Sequence, residues 1–363
     1  MVKRGENIYK RKDNRWEGRY IKGRKKDGSI HYGYLYSDNY TDLKRELIIK
    51  KAKSYHELNI TNDILFLYWA EHWLSNIKEK VKISTYTSYR YKMDRYILPY
   101  LGEVNINLIT DQHIESWKNK LLSFLSVNST KVMFQIMNKC MSDAVDKKIL
   151  LKNPCKDSVA IKNLHVETYH LNYDEHKILN KIAYSEKNGL AIALALESGM
   201  RIGEISGLKW EDVNLENSTI TIKRTVQRIY SYDSLSKSKT IVIEGPPKSS
   251  SSFRIIPISK KMNKYLSVSN SKIPSYYVFG DKKPSEPRKI NKWLKHICEK
   301  NNLKYVHFHE LRHSFAKQCL TKGVNITTTS KLLGHKSVKM TLDMYTHASM
   351  YDKKKAIETV TGN

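Results

Sequence analysis

Apolar positions along the chain fall into three successive patterns. Short strand-like runs rich in Tyr, Ile and Trp occupy residues 7–12, 15–24 and 30–37. Asp13-Asn14 and Lys26-Asp27-Gly28 separate them, and both are turn-forming combinations. A helix is predicted next, with Thr41 as N-cap and Leu43, Leu47 and Ile48 at helical spacing. From residue 62 to about 150 the pattern is helical throughout. Residues 65–77 are apolar-periodic, and Ser84-Thr85-Tyr86 opens a second helix that Pro99 and Gly102 stop. Asp111 caps a third helix with Ile114, Trp117 and Leu121 on one face, and Ser129 or Thr130 starts a fourth. Four helices of this length make a bundle. Asn153-Pro154 and the polar stretch to about 169 read as a hinge. Helical spacing resumes from Leu171 to 196, strand-like runs follow at 219–227, 240–244 and 253–258, and helices run to the end. The fold class predicted is α+β in three parts: a small basic three-stranded module (1–58), a helical bundle (62–158), and a mixed, mainly helical domain with a small antiparallel sheet (169–363).

Charge narrows the partners. Against 36 Asp+Glu stand 64 Lys+Arg, a net charge of +28, and such an excess favours a polyanion. The first 26 residues carry eleven Lys or Arg and three acids. There Arg15, Arg19, Lys22 and Arg24 lie among Trp16 and Tyr20, a ribbon suited to a DNA groove. In the bundle, Lys80, Lys82, Arg90, Lys92, Arg95, Lys118, Lys131 and Lys139 are expected on the faces left by the apolar stripes. No stretch approaches the ~20 apolar residues that span a bilayer, and no lipidation signal appears. The N-terminus has no apolar signal core, so an intracellular, cytoplasmic protein is expected. Cys140, Cys155, Cys298 and Cys319 lie far apart, which argues against a disulfide framework or a zinc knuckle.

Four segments of the third part make chemical sense together. In Glu197-Ser198-Gly199-Met200-Arg201-Ile202-Gly203-Glu204, Gly199 suits a helix break, and Arg201 starts a helix one turn ahead of Glu204, close enough to pair. Pro247-Lys248 and the serines at 249–252 read as a turn into a strand, with Lys248 near the tip; Lys237 and Lys239 lead into the neighbouring strand and compete for the same role. His309-Glu310-Leu311-Arg312-His313 opens a helix on which His309, Arg312 and His313 share a face, while Leu311, Phe315 and Cys319 pack inward. In Leu333-Gly334-His335-Lys336, Gly334 ends a helix, and Tyr345 follows ten residues past His335 on another.

These segments resemble the tyrosine recombinase family, also called the phage integrase family. Arg201 matches its first motif arginine, and His309-Glu310-Leu311-Arg312 its His-x-x-Arg motif. Leu332-Leu333-Gly334-His335 matches the second histidine motif, Leu342-Asp343-Met344-Tyr345 the nucleophile segment, and Lys248 the strand-turn lysine. The resemblance extends to the bundle, as a core-binding domain, and to the N-terminal module, which looks like the arm-site binding domain of conjugative-transposon and phage integrases. It implies cutting and rejoining of double-stranded DNA through a 3′-phosphotyrosyl link at Tyr345, without metal or nucleoside triphosphate. Arg201 and Arg312 would clamp the non-bridging oxygens, His335 would donate to them, His309 would take the tyrosine proton, and Lys248 would protonate the 5′ oxygen. Four protomers would act in one synapse, with an excisionase and a DNA-bending host protein as further candidate partners. The stretch 348–363 is a candidate for packing on a neighbouring protomer. Whether the element is a phage or a conjugative transposon stays open.

His309-Glu310-Leu311-Arg312-His313 also spells the H-E-x-x-H zinc-protease motif. That reading leaves Arg201, Lys248, Tyr345 and the basic charge without a task, and a cation beside zinc is electrostatically opposed. Two further alternatives share the resemblance. A type IB topoisomerase-like enzyme would release relaxed circles, and a catalytically silent DNA-binding regulator would bind without forming a covalent complex.

Overall fold

The computed structural model describes residues 7–25, 29–57, 64–156, 158, 171–232, 238–247, 250–269 and 273–342. The chain divides into two units, Met1–Val166 with Tyr230–Lys239, and Glu167–Ile229 with Thr240–Asn363.

The first unit opens with an antiparallel sheet of β1 (Ile8–Lys10), β2 (Trp16–Arg24) and β3 (Ile30–Ser37), in that order, packed against α1 (Tyr40–Glu57). Strand parity decides the packing. Ile8, Gly18 and Leu35 stand in register and face the helix, where Leu43 and Leu47 are buried with Ile8. Gly18 allows that approach, since a Cβ there would lie 3.1 Å from Leu47 Cδ2. The cap of α1 is Asn39 rather than Thr41: Asn39 Oδ1 accepts from the Thr41 N–H at 2.8 Å.

The bundle comprises α2 (Phe66–Lys78), α3 (Ile83–Lys92), α4 (Leu98–Leu101), α5 (Asp111–Leu122) and α6 (Val127–Asp146). A π-helical turn, Met93–Ile97, joins α3 to α4, so the chain continues through Pro99 instead of stopping there. Proline sits in the first turn of α4, where its missing N–H costs least. The helix starts fall just before the predicted ones: Thr110 caps α5 and Ser126 caps α6, each hydroxyl accepting from the N–H three residues on. Three buried tryptophans organise the core, and each indole N–H donates to an oxygen: Trp69 to the Cys140 carbonyl (3.1 Å), Trp117 to the Tyr96 carbonyl (2.7 Å), and Trp73 to Asp143 Oδ2 (2.5 Å).

The second unit holds α7 (Tyr173–Ser185), α8 (Leu190–Ser198), α9 (Ile202–Ser206), β4 (Val213–Asn214), β5 (Thr219–Ile222), β6 (Thr225–Tyr230), β7 (Thr240–Gly245), β8 (Arg254–Pro257), α10 (Lys260–Ser269), α11 (Pro287–Lys300), α12 (Phe308–Thr321), α13 (Ile326–Leu333) and α14 (Lys339–Leu342). One sheet has the order β4-β5-β8, and β6 pairs with β7. The centre of this unit is α8, whose residues from Ala191 to Leu196 are all buried; a helix apolar all round belongs inside. It packs between α7 and α12. Asn172 and Glu175 cap α7 reciprocally at 2.9 and 2.8 Å. Among the described residues no helix is long and apolar enough to cross a membrane.

Two basic residues of the bundle are not on its faces. Arg90 and Lys118 are buried, each on a carboxylate: Arg90 on Glu71 (2.5 Å) and Asp94 (2.9 Å), Lys118 on Glu115 (2.8 Å). Apolar spacing alone did not reveal them, because a paired cation fits inside once its partner arrives from another turn. Removing Glu71 leaves a guanidinium buried with half its compensation. Glu71→Ala is therefore expected to cost about 3–5 kcal/mol, read from the denaturant midpoint of the whole chain. Replacing both partners, Glu71→Leu with Arg90→Met, should restore most of the loss, and an unchanged midpoint in Glu71→Ala would remove the network from the account.

Candidate active site

Two helices of the second unit end in left-handed glycines, Gly199 after α8 and Gly334 after α13, both at φ 65°. At α13 the Gly334 N–H donates to the Lys331 carbonyl (3.0 Å) and the His335 N–H to the Ser330 carbonyl (3.1 Å), the two bonds of a Schellman turn. A side chain at Gly199 would strike Phe315 (2.5 Å) and Leu333 (2.7 Å), so the position requires glycine for space as well as for φ.

The carbonyls at the end of α13 are taken by arginines. Leu332 O accepts from Arg254 Nε at 2.7 Å, Leu333 O from Arg312 Nη2 at 2.7 Å, and Gly334 O from Arg201 Nη2 at 3.4 Å. Helix C-termini leave carbonyls without intrahelical donors and carry partial negative charge, so cations are favoured there. Arg312 also donates to Gly199 O at 2.7 Å, and thereby joins the two glycine turns.

Glu204 organises the other side. Its carboxylate, 3% exposed, accepts from the Arg201 N–H (2.9 Å) and Nη1 (2.8 Å), and from Arg254 Nη2 (2.9 Å) and Nη1 (3.1 Å). Burial alone would raise this carboxyl; the Arg254 hydrogen bonds and charge, and then Arg201, outweigh it and hold the pKa below the usual value. The predicted Arg201–Glu204 pair is thus present. Arg254, which the sequence did not single out, is the second arm of the same clamp. Its donors to Leu332 O and Ser252 O (3.1 Å) tie the start of β8 to the end of α13.

Arg312 differs from both. It is 2% exposed, and its hydrogen bonds among the described residues go to carbonyls, not to a carboxylate. Burial and then the Arg201 charge lower its pKa to about 9, which leaves it cationic at neutral pH. Arg201, Arg228, Arg288, His309 and Arg312 line one open cleft of about 470 Å³. Arg228 is held across Glu286 (2.6 and 3.0 Å).

His335 and His309 are both shifted toward the neutral imidazole. Burial, then Arg312 and Arg201, lower His335 to about 4, and burial followed by Arg312 lowers His309 as well. His335 Nδ1 lies 2.8 Å from the hydroxyl of buried Thr341 on α14. His309 meets His313 edge to face, with ring centroids 4.6 Å apart. Among the described residues no three His, Cys, Asp or Glu are grouped so that they could hold a metal ion. Lys248 and Tyr345 lie outside the described residues, as do Lys237 and the 348–363 stretch.

The residues expected to read DNA in the N-terminal module divide between two faces of the sheet. Trp16 and Tyr20 pack on the core beneath α1. Arg19 lies on the open face, opposite Tyr34 in register and over the Tyr32 ring at 4.5 Å. Arg15 is exposed, pairs with Asp13 at 2.9 Å, and lies 5.8 Å from the Tyr36 ring centre. Lys22 is exposed at the irregularity between Ile21 and Gly23, and the side chain of Arg24 is not among those described. Parity along β2 was the available signal, because it separates positions 16, 18 and 20 from 17, 19 and 21.

Comparison with known proteins bears on the family and the fold. The profile of the phage integrase family matches residues 170–351, and that of the phage integrase N-terminal SAM-like domain matches residues 65–122. A tyrosine recombinase XerC-like protein of Caldanaerobacter subterraneus subsp. tengcongensis is 26% identical over 314 residues, 79% of this chain and 80% of that protein. The fold matches the Tn1549 transposon integrase in complex with circular intermediate DNA, with TM-score 0.66 and 19% identity over 80% of this chain and 99% of that one. It also matches a lambda integrase tetramer bound to a Holliday junction, with TM-score 0.58 and 19% identity over 91% and 96% of the two chains. With the arginine pair, both histidines and the family profile over the same segment, the chain belongs to the phage integrase family and is a tyrosine-type site-specific recombinase.

Proposed function

We propose that this recombinase integrates and excises a mobile element by cleaving duplex DNA at a core site, with Tyr345 as nucleophile and Arg201, Lys248, His309, Arg312 and His335 as its catalytic set. The observation that carries the reading is Arg312: a buried cation whose hydrogen bonds among the described residues go to carbonyls, in a cleft shared with Arg201 and His309. Such a group lacks a full negative charge as partner, and a scissile phosphate supplies one. In the step proposed, the Tyr345 oxygen bonds to phosphorus while the bond to the 5′ oxygen breaks. His309, whose burial favours the uncharged ring, takes the phenol proton, and Lys248 gives one to the departing oxygen. Arg201 and Arg312 donate to the non-bridging oxygens, where charge accumulates in the transition state. The phosphotyrosyl link keeps the bond energy, so a second 5′ hydroxyl reverses the step on a new partner. No metal or nucleotide enters the scheme.

The open face of the N-terminal sheet is proposed to bind a separate arm-type site. There Arg19, whose Nε is buried without a hydrogen-bond partner among the described residues, shares the face with exposed Tyr9, Tyr34 and Tyr36. Trp16 and Tyr20 support that face from behind. Duplex DNA as substrate, four protomers in the synapse, and cytoplasmic action at the nucleoid all follow from this reading. An excisionase and a DNA-bending host protein remain candidate partners.

Three measurements test it. A nicked duplex of the element's own end, incubated with chelator and run under denaturing conditions, should yield a protein–DNA adduct that Tyr345→Phe abolishes and Arg312→Ala lowers by about 10²–10³-fold. Tight, salt-sensitive binding with no adduct would favour the silent regulator. Glu204→Gln and Arg254→Lys should each slow adduct formation about ten- to hundredfold with core-site affinity nearly unchanged, since they position Arg201 without facing the DNA; full activity in both would remove the clamp from the mechanism. Arg19→Ala should weaken arm-site binding and lower its salt slope by about one, with adduct formation at the core site preserved. A loss confined to the core site would place the arm surface elsewhere.

A further inference from the structure

Beyond the catalytic set stands one buried hydroxyl at hydrogen-bond distance from it. Thr341 is fully buried on α14, and its Oγ1 lies 2.8 Å from Nδ1 of His335. The two residues are fixed from opposite sides. His335 follows the Schellman turn, with its N–H on the Ser330 carbonyl, and Thr341 is held by its own N–H on the Val338 carbonyl at 2.9 Å.

We propose that Thr341 is a positioning residue that sets the tautomer of His335: its hydroxyl donates to Nδ1, so that the ring carries its single proton on Nε2 and presents it to the phosphate. The inference rests on His335 acting as a donor to a non-bridging oxygen. A neutral imidazole has one N–H and one lone pair to offer, and a phosphate oxygen accepts only. Nδ1 is occupied by Thr341, so the donor toward DNA is Nε2–H, and Nδ1 must then accept. A hydroxyl can supply that hydrogen, whereas a methyl group cannot. Burial, then the Arg312 and Arg201 charges, disfavour a second proton on the ring, which favours the neutral form in which the tautomer matters. The role is familiar in kind: the group on the far nitrogen decides which nitrogen of a working histidine bears hydrogen.

The test separates this claim from the reading it rests on. In the full chain with ¹⁵N-labelled histidine, the ring signals of His335, assigned by their loss in His335→Gln, should show the Nε2–H form. In Thr341→Val they should shift toward a mixture or toward Nδ1–H, while Thr341→Ser keeps the wild-type pattern. On the nicked duplex, Thr341→Val should slow adduct formation about ten- to hundredfold, and Thr341→Ser should recover most of it. Thermal melting of each variant identifies one that fails to fold, and Thr341→Ala then replaces Thr341→Val. An Nδ1–H form in the wild type, or a tautomer unchanged by Thr341→Val, overturns the proposal whatever the rate. Loss of the adduct in the wild type with the tautomer shift intact would instead count against the recombination chemistry.

Discussion

Three consecutive carbonyls, those of Leu332, Leu333 and Gly334, each receive a different arginine. Much of the second unit can be understood from that arrangement. A helix end has carbonyls to offer only if the chain turns away sharply, and the left-handed Gly334 makes it do so. The arginines come from the N-cap of α9, from β8 and from α12, which are distant in sequence, and the end of one eight-residue helix brings them together. Each charge-assisted bond of this sort contributes about 1.5–3 kcal/mol, so the arrangement stabilises the domain and assembles its chemistry at once.

The distribution of negative charge then separates the arginines by task. Glu204 offsets one of the two positive charges that Arg201 and Arg254 bring, and their geometry is held by a carboxylate that accepts from both. Among the described residues Arg312 is hydrogen-bonded to backbone dipoles alone. Partial charges orient a guanidinium without cancelling it, and a positive potential therefore survives inside the protein. A full counter-ion at Arg312 would have given a more stable apoprotein and a poorer anion site.

Local rules carried much of this into the sequence. Gly199 and Gly334 announced their helix ends, the spacing of Arg201 and Glu204 announced their ion pair, and His309 and Arg312 fell on one face of a helix as 3.6 residues per turn requires. Asn39, Thr110 and Ser126 displaced the caps expected because several polar residues competed near each start, and only the backbone angles choose among them. Arg254 was invisible for a different reason. Its partners lie 50 and 78 residues away, and nothing beside it in β8 signals a buried charge. Arg90 escaped in the same way, 19 residues from Glu71. Trp16 and Tyr20 were legible and were misgrouped: two-residue parity already placed them behind the sheet, away from Arg19.

Because the arginines share one helix end, they do not have independent positions. A small tilt of α13 would disturb the 2.7 Å bonds of Arg254 and Arg312 together, and Arg201 through the Glu204 it shares with Arg254, with His335 following because its backbone belongs to the same turn. Graded activity is hard to obtain from such a mount. The mechanical unit is the helix rather than the residue, so anything that leans on α13 acts as a lever on the whole anion site, engaging or releasing it in one movement.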